Sequence, residues 1–87
     1  MTIEERKLDG NAIGGVLFEI FGTEVTAATG VCGSCGAEGY VATLDVYADA
    51  PGIVARCRSC EAVMIRIVRA DDRTWLDLSG TRTLQIG

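Results

Sequence analysis

Four of the 87 residues are cysteines, and they fall into two pairs of equal spacing: Cys32-Gly33-Ser34-Cys35 and Cys57-Arg58-Ser59-Cys60, with 21 residues between the pairs. A Cys-x-x-Cys segment folds as a tight loop that aims two thiolates at one point. Two such loops supply four sulfurs at ~2.3 Å from a tetrahedral metal. Thiolate tetrahedra select zinc or iron. Cys32, Cys35, Cys57 and Cys60 are therefore the expected metal ligands, with Zn²⁺ first and iron as the alternative. The chain has no His, which removes the commonest general base and the commonest nitrogen ligand. There is no Ser/His/Asp set, no P-loop and no G-x-G-x-x-G. Asp71-Asp72 reads as a solvated turn, not a paired-carboxylate site. The sequence predicts no catalytic residues and no enzyme.

The elements around the cysteines follow from patterning. Leu8, Ala12, Ile13, Val16, Leu17, Ile20 and Phe21 recur at helical spacing, which predicts an N-terminal amphipathic helix over 8–22. Asp9 is its expected N-cap and Gly22 its stop. Gly14 and Gly15 weaken it by roughly 1 kcal/mol each. They are read as tolerated under tertiary packing, ahead of a close backbone approach. Residues 23–87 read as an antiparallel sheet. Val25–Val31 leads into the first cysteine pair. Glu38–Tyr47 follows it as a strand, in which Tyr40, Ala42, Leu44 and Val46 alternate with their neighbours. Ala50-Pro51-Gly52-Ile53 fits a type II turn. Ile53–Arg56 then returns toward Cys57, so the hairpin brings Cys57 back beside Cys35. Ala62–Arg69 follows, with Val63, Ile65 and Ile67 on one face, and Ala70–Arg73 turns it back. Strands over Thr74–Leu78 and Thr83–Ile86, joined through Ser79-Gly80, complete the sheet. Gly36, directly after the first pair, suits a positive φ. Glu61 holds the equivalent place after the second, so this feature is expected only once. The fold class is a small metal-stabilised β-rich (α+β) domain, a single unit over 1–87.

At these residues the chain resembles the zinc-ribbon superfamily. More narrowly, it is similar to a family of short bacterial zinc-ribbon proteins without known function. The matching segments are Leu8-Asp9-Gly10-Asn11-Ala12, Cys32-Gly33-Ser34-Cys35-Gly36, Pro51-Gly52-Ile53-Val54-Ala55-Arg56-Cys57-Arg58-Ser59-Cys60 and Thr74-Trp75-Leu76-Asp77-Leu78. The resemblance spans residues 8–86. It implies a zinc ribbon with two zinc knuckles, and it implies no activity. Rubredoxin-type iron sites share the paired loops, but here the second loop lacks a trailing Gly and neither loop carries Pro between its cysteines. Hydrogenase and urease maturation metallochaperones contain a similar ribbon and also need an N-terminal Met-His site, which Met1-Thr2 does not provide.

Composition narrows the remaining choices. Hydrophobic residues make up 48% and charged residues 23%, a globular balance. A chain this short buries only roughly 60–65% of its unfolded surface, so a metal clamp offsets a thin core. Net charge is −4. Residues 1–52 carry eight acids and two bases, −6; residues 53–87 carry four acids and six arginines, +2. The overall sign opposes nucleic-acid binding, which leaves the Arg-rich half as an alternative. Arg66 is out of phase with Ile65 and Ile67 and is expected to face solvent; Arg69 is in phase with them. Arg56 and Arg58 flank Cys57 and offset the charge of an anionic site. No apolar run is long enough for a signal-peptide core or a membrane span. A cytoplasmic setting is expected, where thiols stay reduced and serve as ligands. The expected role is a structural zinc site in a module that binds another protein or a second copy, through the helix face or the region of Trp75. Trp75 itself is read as core or half-buried ahead of a hot spot. A nucleic-acid-binding ribbon that uses the Arg-rich C-terminal half is the runner-up, an iron electron carrier comes third, and thiol–disulfide catalysis ranks last.

Overall fold

The computed structural model describes residues 7–49 and 52–86. Among the described residues eight strands make two antiparallel sheets: β1 (Lys7–Asp9), β2 (Thr29–Cys32), β3 (Glu38–Tyr40), β4 (Asp45–Asp49), β5 (Gly52–Arg56), β6 (Val63–Ala70), β7 (Arg73–Asp77) and β8 (Thr81–Gln85). The first sheet runs β1-β4-β5-β6-β7 and the second runs β3-β2-β8. One short helix, α1 (Gly14–Phe21), follows a 3-10 turn over Gly10–Ile13. This is a small β-rich domain with two sheets where one was expected. Among the described residues no helix is long and apolar enough to cross a membrane.

The helix expected over 8–22 is shorter. Leu8 pairs with Val46, and Asp9 with Asp45, at one edge of the first sheet, so Asp9 is a strand residue and not a cap. Ile13 precedes α1 with no side-chain cap. Three glycines at 10, 14 and 15 disfavour helix, and strand pairing takes the residues before them. The C-terminal stop is as expected: Gly22 has φ 72°, and its N–H reaches the Phe18 carbonyl. Ile13 and Leu17 are buried, with Val16, Ile20 and Phe21 half-buried against the same core, whereas Leu8, Ala12 and Phe18 are exposed. A Cβ on Gly14 would sit 3.2 Å from Thr26 Cγ2, while one on Gly15 would meet open space. The closest approach at this glycine pair is thus by a side-chain methyl.

The strand expected over Glu38–Tyr47 is broken. A 3-10 turn at Val41–Thr43 separates β3 from β4 and sends them to different sheets. Val41 (1% exposed) and Leu44 enter the core, while Tyr40 is 59% exposed. Their spacing of three is the repeat of a 3-10 turn. The strand expected from Val25 begins only at Thr29; Val25 and Ala28 are buried ahead of it. The Ala50-Pro51 part of the expected turn lies outside the described residues; on either side of it Asp49 pairs with Gly52. The turn after β6 is where expected, with Ala70 paired to Arg73 and Asp71 at φ 57°.

The core lies between the sheets. Val46, Ala55, Ile65 and Ile67 of the first sheet meet Ile13, Leu17, Val25, Ala28, Val41 and Cys32. Two register shifts shape it. Val31 faces Thr83 and Cys32 faces Thr81, which leaves Arg82 unpaired. Ala55 faces Ile65 and Arg56 faces Val63, which leaves Met64 unpaired. Such bulges bend a strand and re-aim its side chains. Here each lies opposite the last strand residues before a cysteine loop. The second bulge also puts Met64 and Ile65 side by side in the core, so Val63 drops out of the expected face.

The first sheet's other face carries Tyr47, Val54, Arg66, Val68 and Trp75 by strand alternation and register. Trp75 is 51% exposed, about half-buried and outside the core. Arg66 is exposed on this side. Arg69 points the other way, to an ion pair with Glu19 of α1 at 2.5 Å, an exposed contact of small energetic weight.

The segment between β7 and β8 joins the sheets. Asp77 Oδ1 accepts the Ser79 N–H at 2.8 Å. Ser79's side chain and backbone, with the Arg66 charge adding, hold the Asp77 carboxyl below its usual pKa. Gly33 N–H donates to the Gly80 carbonyl at 2.9 Å, and Thr81 Oγ1 donates to the Met64 carbonyl at 2.8 Å. Gly80 has no room for a side chain: a Cβ there would lie 1.8 Å from the Val63 carbonyl oxygen. Gly80→Ala is therefore expected to cost more than about 3 kcal/mol, through forced backbone displacement. Denaturant unfolding measures this, and a near-native midpoint would contradict it.

Candidate metal centre

Each cysteine pair ends a strand and closes a loop with the same backbone hydrogen bonds. In the first, Cys32 N–H donates to the Ala37 carbonyl at 2.9 Å and Gly36 N–H to the Cys32 carbonyl at 3.0 Å. In the second, Cys57 N–H donates to the Ala62 carbonyl at 2.8 Å and Glu61 N–H to the Cys57 carbonyl at 2.8 Å. The correspondence extends to sulfur: Ser34 N–H points at Cys32 Sγ and Ser59 N–H at Cys57 Sγ, both at 3.4 Å. These donors stabilise thiolate.

The repeat also extends to the residue after each pair. Gly36 has φ 79° and Glu61 has φ 65°. The left-handed position expected once is present twice, because the loop geometry imposes it whatever residue stands there. For a residue with a Cβ this costs roughly 1–2 kcal/mol. Arg56 offsets part of that: its Nη1 donates to the Glu61 carbonyl at 2.9 Å, while its guanidinium sits 6.0 Å from the Tyr47 ring centroid. The arginine read as a neighbour for an anionic site thus also holds the loop. Sequence spacing gave no sign of this contact, and only the parallel between Cys35-Gly36 and Cys60-Glu61 hinted at the shared backbone shape.

The structure brings all four expected residues together. The sulfurs of Cys32, Cys35, Cys57 and Cys60 lie within 4.8 Å of one another. Cys32 and Cys60 are 3.7 Å apart, as are Cys35 and Cys57. A disulfide needs ~2.0 Å, so these are free thiols. Four sulfurs at ~2.3 Å from a tetrahedral ion stand about 3.8 Å apart, so the donor set fits such an ion. Cys32 and Cys57 are buried in the core, and Cys35 and Cys60 are exposed.

The electrostatics call for a cation. The N–H groups of Cys35 and Ser34 hold Cys32 down at about 6. At Cys57 burial works against the anion, but the N–H groups of Cys60 and Ser59 and the neighbouring thiols outweigh it, and the pKa falls. Cys35 goes the other way. The Ala37 N–H favours its anion, yet desolvation and the thiols of Cys60, Cys57 and Cys32 push it up to about 11. One cluster cannot hold four adjacent anions alone; a divalent ion among them removes the penalty.

Fold and site together define a small β-rich domain built around a four-cysteine cluster able to hold a metal ion. The family described as "Family of unknown function (DUF6510)" matches residues 4–87, and the chain belongs to it. Comparison with the curated proteins and with the solved structures gives no match.

Two outcomes follow from this geometry. Glu61→Gly is expected to stabilise the fold by about 0.5–1 kcal/mol by relieving the left-handed strain; thermal melts decide, and a loss of stability would contradict it. Metal affinity is expected to rise with pH across neutrality. Cys35 without a cation keeps its proton well above pH 7, and the metal must displace that proton, which gives about tenfold per pH unit for each proton released. Chelator competition at several pH values measures this slope, and a flat profile would contradict it.

Proposed function

We propose that the protein is a zinc ribbon, in which Cys32, Cys35, Cys57 and Cys60 form two zinc knuckles around one structural Zn²⁺. The observation that carries this is the sulfur cluster itself: all four Sγ atoms within 4.8 Å, with contacts at 3.7 Å against a tetrahedral edge of about 3.8 Å. The −2 charge of a four-thiolate zinc site is met by the backbone N–H groups of Ser34 and Ser59. Zinc has no redox chemistry of its own, and all four sulfurs are used as ligands, so the reading assigns the site no turnover. Its contribution is stability: structural zinc supplies apparent binding free energy on the order of 10–16 kcal/mol, more than the ~5 kcal/mol a small core leaves.

The biological role we infer is recognition of another protein. Trp75 and Phe18, each 51% exposed, are large apolar side chains outside the core. Trp75 shares its sheet face with Val68, Val54 and Tyr47. Exposed aromatic residues on an apolar sheet face suit protein contacts. Nucleic-acid binding ranks behind this, since Arg69 is tied to Glu19 on the opposite side and the chain carries −4.

Elemental analysis of purified protein is expected to give one zinc per chain and a colourless solution; a red protein with visible charge-transfer bands would establish iron instead. Cys57→Ala is expected to lose the metal and, with it, the cooperative thermal transition, as is the wild-type chain treated with chelator. A variant with a normal melt would overturn the structural role.

A further inference from the structure

The burial pattern of the four sulfurs divides the cluster by chemistry. Each loop places its first sulfur in the core and its second at the surface: Cys32 and Cys57 buried, Cys35 and Cys60 exposed. The two sulfur contacts at 3.7 Å both cross between the loops, and each joins one exposed sulfur to one buried sulfur: Cys60 to Cys32, and Cys35 to Cys57. An oxidant from solvent meets only the exposed member of each contact. The buried member sits where a second sulfur is needed.

We propose that the centre is also an oxidation site for hydrogen peroxide, with Cys35 and Cys60 as the points of attack and Cys57 and Cys32 as the sulfurs that close the disulfides. Its release of zinc rests on the metal reading above; its connectivity rests on the sulfur contacts. In the first step the Cys60 thiolate attacks a peroxide oxygen, the O–O bond breaks, and hydroxide leaves, giving the sulfenic acid at Cys60. Cys32 thiolate then attacks the Cys60 sulfur, forms the S–S bond and expels a second hydroxide. Cys35, once deprotonated, and Cys57 repeat the sequence. Four thiolates and two peroxides give two disulfides and four hydroxides, and no thiolate would remain to hold a divalent ion. Each sulfur pair closes from 3.7 Å to ~2.0 Å. Both bonds link the first loop to the second, so the oxidised chain keeps by covalent means the junction that the metal held.

The test uses wild-type protein of measured zinc content, treated with hydrogen peroxide in the presence and absence of a 1,3-dione that traps sulfenic acids. Zinc release is followed with a colorimetric chelator, and disulfides by peptide mass mapping. The expected result is dione adducts on Cys35 and Cys60, disulfides Cys32–Cys60 and Cys35–Cys57, zinc appearing in step with them, and reversal by a dithiol reductant. Adducts on Cys32 or Cys57, disulfides within the loops, thiols that resist peroxide, or disulfides formed with zinc retained would overturn the inference. Protein that carries no zinc at the outset would sink the metal reading alone, and the peptide map would still decide the connectivity.

Discussion

Four sulfur atoms pressed into one small volume set the terms for this fold. As neutral thiols they attract one another weakly, and as anions they repel. The arrangement makes energetic sense around a cation, which turns mutual repulsion into shared attraction. Because Cys32 and Cys57 are also core residues, the electrostatic centre and the apolar core are one object. Without a cation the convergence of the two cysteine loops would lose its electrostatic support.

The rest of the chain can be understood as what is needed to deliver two loops to one place. The β4–β5 hairpin carries the second loop back to the first. The bulges opposite Val31–Cys32 and Ala55–Arg56 re-aim the strand ends as they reach the site. The loops themselves share hydrogen bonds, left-handed residue and serine N–H donor. A common backbone solution has been reached with different residues, and the strained Glu61 on one side is the mark of it. The shape is dictated by the need to point two thiolates inward, and local propensity yields.

How much of this was legible in the sequence varies with the physics of each part. The clustering of the four cysteines was, because spacing alone fixes a Cys-x-x-Cys loop. So were β5, β6 and the turn at Asp71-Asp72, where alternation and turn residues agree. The start of the helix was not. Leu8 falls in step with Ile13 and Leu17 by chance of period, and its pairing with Val46 is a long-range contact that no local pattern records. The break at Val41–Thr43 was hidden for a related reason. Tyr40, Ala42, Leu44 and Val46 alternate as a strand would, but Val41 is the residue that the core takes. Trp75 stays half in solvent because its strand lies at a sheet edge with an uncovered face.

The short connection over Leu78–Gly80 has a consequence for how this chain can vary. Surface connections ordinarily absorb extra residues at little cost. This one is wedged, with the Gly33 amide on one flank and the Val63 carbonyl on the other. A single added residue would push the two sheets apart at the very point where the sulfurs converge. Length changes are better borne at the Asp71-Asp72 bend, whose residues stand in open solvent, so that bend is where a peptide tag or a spectroscopic label can be grafted into the chain.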